Sequence, residues 1–126
     1  MKANELRIGN YVFDRYKITQ VDKYFYQSAE CFWTNEFKPI PLTEHWLFRF
    51  GFEKNIDYEQ EINEYGKLSE SNGRRGVGLY LHEGEWFVTF REDVGCGWCE
   101  LNEIEYVHQL QNLYFALTND ELTIKS

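Results

Sequence analysis

Residues 77–91 constrain the fold more than any other stretch of this chain. Val77, Leu79 and Leu81 alternate with Gly78, Tyr80 and His82, and Trp86, Val88 and Phe90 alternate with Phe87, Thr89 and Arg91. A period of two sends successive side chains to opposite faces of a strand. Glu83-Gly84-Glu85 joins the two runs at hairpin length. Both faces carry aromatic side chains, so the hairpin is expected centrally in a sheet.

Other short runs extend the β content. Leu6, Ile8, Tyr11 and Phe13 form an apolar ladder interrupted at Gly9-Asn10, a turn or bulge signal. Lys17-Ile18-Thr19-Gln20-Val21 alternates with period two, and Tyr24-Phe25-Tyr26, Cys31-Phe32-Trp33-Thr34 and Trp98-Cys99-Glu100-Leu101 are strand-like. Leu122-Thr123-Ile124 reads as a returning edge strand. Residues 53–70 are polar, and the stretch 63–76, with Arg74 and Arg75 between glycines, is expected to be a mobile loop.

Two helices are expected. Pro39-Ile40-Pro41-Leu42 is held extended by its prolines, and Thr43 then caps a short helix that brings Trp46, Leu47 and Phe50 to one face and ends at Gly51. Ile104, Val107, Leu110, Leu113, Tyr114 and Leu117 recur at helical spacing, which predicts a helix over 103–118 with all six on its core face. Asn102 is the expected N-cap, Glu105 its N3 partner, and Asn119 a left-handed C-cap. Grouped strands with few helices predict a single α+β domain. Its architecture is an antiparallel sheet or SH3-like open barrel of roughly five to seven short strands with two helices packed on it.

Charge limits the partners. Thirteen Lys and Arg against 21 Asp and Glu give a formal net charge of −8. General binding of duplex nucleic acid needs clustered cations to displace phosphate counterions, so no such role is expected. Residues 92–121 carry Glu92, Asp93, Glu100, Glu103, Glu105, Asp120 and Glu121 and no Lys or Arg. No apolar run is long enough to span a membrane and none resembles a secretory leader. With an odd number of cysteines, three, this points to reduced thiols in a cytosol.

Three stretches carry a family resemblance: Met1 to Val12 (MKANELRIGNYV), Pro39 to Leu47 (PIPLTEHWL) continuing to Phe50-Gly51-Phe52, and Tyr106 to Thr118 (YVHQLQNLYFALT). Together they resemble small uncharacterised proteins of Bacteroidetes phages, prophages and genomes. The resemblance covers about a third of the chain and implies an accessory protein of a mobile element. It supplies no catalytic residues.

Local chemistry is sparse. Cys96-Gly97-Trp98-Cys99 could be half a zinc site or a redox pair. Zinc would require further ligands from Cys31, His45, His82 or His108, none at paired ligand spacing, and nearby Glu92, Asp93 and Glu100 oppose a reactive thiolate. No metal or cofactor is therefore expected. His108, Gln111 and Asn112 share a helical stripe with Phe115, which reads either as a binding face or as a satisfied polar network. Arg74-Arg75 lacks the strand-to-helix setting of a phosphate loop.

The reading that unites these features is a non-enzymatic binding protein. Trp86 and Trp98 would join Glu92, Asp93, Glu100, Glu103, Glu105, His108, Gln111 and Asn112 in an acidic, aromatic surface for a host or phage protein. One form of that function is inhibition of a bacterial defence protein by acidic residues set against a basic nucleic-acid groove. The alternative is a small-molecule or nucleotide-sequestering protein, which would need Lys54, Arg74, Arg75 and Arg91 to converge.

Overall fold

The structure, a computed structural model, describes residues 6–14, 17–21, 37–54, 64–71, 73–93 and 97–124. The strands expected at Tyr24–Tyr26 and Cys31–Thr34, along with Cys96, lie outside the described residues.

The chain is α+β, with two antiparallel sheets and two helices among the described residues. Strands β1 (Tyr11–Asp14), β2 (Lys17–Gln20) and β3 (Phe37–Lys38) form a sheet of order β2-β1-β3. The larger sheet runs β4-β5-β6-β7-β8 over Glu53–Lys54, Tyr65–Leu68, Gly76–His82, Glu85–Arg91 and Cys99–Ile104. Helix α1 spans Glu44–Arg49 and α2 spans Val107–Thr118. Among the described residues neither sheet closes into a barrel.

The hairpin is central as the alternation demands, with β6 as the middle strand. Its register pairs Val77 with Phe90, Leu79 with Val88 and His82 with Glu85. The connection is therefore the two residues Glu83-Gly84, and Glu85 belongs to the strand. Both turn residues have positive φ, 52° and 81°. That backbone matches the right-handed twist of the flanking strands.

Val77, Leu79, Trp86 and Val88 face the core, where they meet Trp46 and Leu47 from α1, Phe50 at its C-cap, and Val107, Leu110 and Tyr114 from α2. Ile40, Leu42 and Phe52 complete that layer. Tyr11 ties the small sheet to it, its ring centred 5.7 Å from Trp46 and 6.0 Å from Phe50. A six-residue helix has little intrinsic stability, so α1 depends on this burial. Gly51 at φ 91° turns the chain out of α1 as expected.

Three local expectations are corrected. Tyr65–Leu68, inside the stretch read as a loop, is strand β5. Its pairing of Tyr65 with Leu79 and of Gly66 with Gly78 outweighs the polar composition around it. Ser69 is buried too, its hydroxyl donating to Asp120 at 2.6 Å. Asn102 does not cap α2: it lies in β8, and the helix starts four residues later than expected. The reason is non-local. Leu42 N–H donates to the Glu105 carbonyl at 2.9 Å and Val107 N–H to Ile40 at 2.8 Å, which keeps this stretch extended. Gln109 then turns back to accept from the N–H groups of Glu105 and Tyr106 at 2.9 and 3.1 Å. Finally, Leu122–Ile124 forms no strand, although Leu122 is buried. The left-handed cap at Asn119 is present, at φ 64° and ψ 14°.

Candidate functional site

Strand β8 is a terminal strand of the larger sheet, and among the described residues no strand pairs with its outer edge. Between β8 and α2 lies a groove of about 790 Å³. One wall comes from Glu100, Leu101, Asn102, Glu103 and Ile104, the other from His108, Gln109, Asn112, Leu113 and Leu117.

The origin of the groove is visible in the register. Trp86 pairs with Ile104 and Phe87 with Glu103, but Thr89 pairs with Glu100, so β8 carries an extra residue opposite Val88. This bulge puts Glu100 and Glu103 on the same face despite their odd spacing. Leu113 and Leu117, expected in the core, are only half-buried and line the groove instead, because Leu110 and Tyr114 take the fully buried side of α2.

The rim is acidic. Glu100 accepts a hydrogen bond from the Tyr80 hydroxyl, which raises that hydroxyl's pKa. The Glu103 carboxyl is pushed above its ordinary range, first by a hydrogen bond with Glu85, then by the charge of Glu85, by partial desolvation and by the charge of Glu105. Among the described residues no Lys or Arg forms an ion pair with Glu85, Glu100, Glu103 or Glu105. Beside this rim, on the sheet's outer face, Tyr80 and Phe87 stack with centroids 5.2 Å apart and planes at 14°.

The expected surface residues divide. Glu100, Glu103, His108 and Asn112 come together in the groove, with Glu105 exposed just beyond the end of β8. His108 is 2% exposed and stacks on Tyr106, with centroids 6.0 Å apart. Asn112 Oδ1 accepts from Arg7 Nε at 2.8 Å and from Asn10 Nδ2 at 2.9 Å. Glu92 and Trp98 instead line a smaller hollow of about 410 Å³ with Phe90, Gly97 and Cys99. The Trp98 ring sits over Gly76 and carries the Arg91 guanidinium 5.0 Å from its centroid. Asp93 pairs with Arg74 at 3.4 Å.

Two expected surface residues belong to the interior. Trp86 is a core residue whose Nε1 donates to the Leu42 carbonyl at 3.0 Å. Gln111 is fully buried: its Nε2 donates to the carbonyls of Gly9 and Leu122 at 3.0 and 3.2 Å, and its Oε1 accepts from Tyr11 N–H at 2.9 Å. Of the stripe's two readings, the satisfied network is therefore the right one for Gln111.

The cations do not converge as a phosphate site would require. Arg75 donates to the Leu117 carbonyl at 3.3 Å, Lys54 lies by Glu44 and Tyr65, and none of Lys54, Arg74, Arg75 and Arg91 lines the groove. Among the described residues no three His, Cys, Asp or Glu side chains gather as metal ligands. Cys99 is exposed, and Cys31 and Cys96 lie outside the described residues. Among the described residues no helix is long and apolar enough to cross a membrane.

Residues that sequence reasoning missed are Leu101, Gln109, Leu113 and Leu117 in the groove and Tyr80 and Glu85 beside it. The only signal available was the width of the apolar stripe on α2, broader than one buried face needs. No family model, curated protein or solved structure matches this chain.

Proposed function

We propose that the chain is a non-enzymatic binding protein whose working surface is the groove between β8 and α2, and that it holds a basic segment of a host or phage protein there. The single observation that carries this reading is the groove's composition: apolar Leu101, Ile104, Leu113 and Leu117 below, Glu100 and Glu103 on the rim without a described cation. Interfaces are built this way, with an apolar centre for affinity and charge around it for specificity and encounter rate. The resemblance to mobile-element proteins of Bacteroidetes supplies the setting, a bacterial cytoplasm.

The test is capture from a bacterial lysate at low and moderate salt, comparing the wild-type chain with a Glu100→Lys/Glu103→Lys double variant. A protein retained by the wild type and lost from the variant supports the reading. Identical retention by both, or none by either, overturns it.

The groove's volume supports a second reading. At about 790 Å³ it falls within the usual range of small-molecule sites, roughly 300–1,000 Å³. Its carboxylates disfavour a nucleotide and favour a neutral or cationic compound. A thermal-shift screen of both classes separates these cases. Stabilisation by a nucleotide in the wild type but not in a groove variant would contradict the charge argument.

A further inference from the structure

The proposed groove has a strand on one wall and a helix on the other, and the strand is a sheet edge. An edge strand presents N–H and C=O groups that sheet pairing has not used. An incoming extended segment can bond to that backbone while every second side chain points into the adjoining cleft.

Resting on the binding function proposed above, we infer that the partner docks by strand addition: an extended segment alternating basic and apolar residues pairs with β8 and lies between it and α2. Its apolar residues cover Leu101, Leu113 and Leu117. Its basic residues meet Glu100 and Glu103, with Glu85 behind Glu103. The same charges rule out the commonest unwanted occupant of an open edge, a second copy of this chain. Pairing β8 with itself would bring four or more carboxylates together, and the protein already carries a net −8. The acidic edge is thus closed to self-association and open to a cationic strand.

The Glu85–Glu103 contact strengthens the argument. Two carboxyls that share a hydrogen bond gain when a cation arrives, because the like-charge penalty that raises the Glu103 pKa is relieved. Arg suits the position better than Lys, since its planar fork can engage both carboxylates.

The test uses the full chain and fluorescent synthetic peptides of about ten residues alternating Arg and Val, enough to span a six-residue strand. Two further peptides carry N-methyl groups at every second residue, one in each frame. A fourth keeps the composition with Arg and Val in separate blocks. The alternating peptide is expected to bind with a micromolar Kd, to weaken about tenfold or more as salt is raised, and to bind the Glu100→Lys/Glu103→Lys variant far more weakly. N-methylation in one frame, but not the other, should cost about tenfold or more, because it removes N–H donors on the β8 side only. Equal binding of both methylated peptides overturns strand addition. So does equal binding of the block peptide, and so does no binding of any peptide. In each of those cases a salt-sensitive lysate partner lost from the charge-reversed variant would leave the binding function standing. Loss of both removes both.

Discussion

The Arg7 guanidinium reaches Asn112 across 105 residues of sequence, its Nε donating to Oδ1 at 2.8 Å. The same side chain forms an ion pair with Glu121, donates to the Gln111 carbonyl at 3.2 Å and lies 4.5 Å from the centroid of the Phe115 ring. Arg7→Ala should lower unfolding free energy by about 1–2 kcal/mol, most of it from the half-buried hydrogen bonds, since the ion pair is partly solvated. Arg7→Lys should recover little, because one ammonium cannot satisfy Asn112, Glu121 and the ring together. Urea denaturation of the three proteins checks this. Full recovery by Lys would show that charge alone matters.

Gln111 is the most demanding polar position in the core. Gln111→Leu leaves the Leu122 carbonyl and the Tyr11 N–H without this partner, and the Gly9 carbonyl with only Gln20 Nε2, and should cost about 2–4 kcal/mol. Gln111→Glu keeps the shape but turns a double donor into an acceptor facing two carbonyls, so it should also destabilise, and less in acid, where the carboxyl regains a proton. Thermal melts at neutral and mildly acidic pH read both effects. A Gln111→Leu protein as stable as wild type would contradict the assigned network.

The hairpin turn offers a gain as well as a loss. With φ of 52° at Glu83 and 81° at Gly84, Gly84→Ala should destabilise by about 1 kcal/mol. Glu83→Asn should stabilise by roughly 0.5–1 kcal/mol, because Asn-Gly is the preferred pair for this turn. Neither residue touches the groove, so partner binding should be unchanged in both variants.

Glu103 sets a pH dependence of known sign. Its folded-state pKa is raised, chiefly by the bond with Glu85, so the folded chain holds a proton more tightly than the unfolded one. Stability from this pair is therefore greatest in acid and falls as pH rises through the raised value. Glu103→Gln should melt at a higher temperature than wild type at neutral pH. The difference should close as pH is lowered toward the ordinary glutamate value of about 4.3. A constant difference across that range would rule out the carboxyl pair as its source.

Periodic features were legible in the sequence. The hairpin at 77–91, the helix through Leu110 and Tyr114 and the left-handed Asn119 all follow from local rules of face and cap. What was not legible depended on distant backbone. Asn102 and Glu105 have the spacing of a capping box, yet the Ile40–Leu42 strap holds Glu105 and Tyr106 extended. Trp86 reads as an interface residue from its type, but it shares a strand face with Val88, and the helices packed on that face make it core. The bulge in β8, which places Glu100 beside Glu103, leaves no mark in sequence at all. It arises from the register of a partner strand.

The clasp joining Arg7, Gly9 and Tyr11 to residues 111–124 also orders events in time. Gln111 bonds to Gly9 and Tyr11, and Ile124 N–H donates to the Tyr11 hydroxyl at 3.4 Å. The β1–β2 ribbon is the first part of this stretch to leave a ribosome, yet its fastening arrives about a hundred residues later. Even with the two-residue β3 beside it, so small a sheet is marginal alone, and contacts between distant residues slow the search for them. The small sheet is therefore expected to reach its full stability only once α2 is in place to close the clasp.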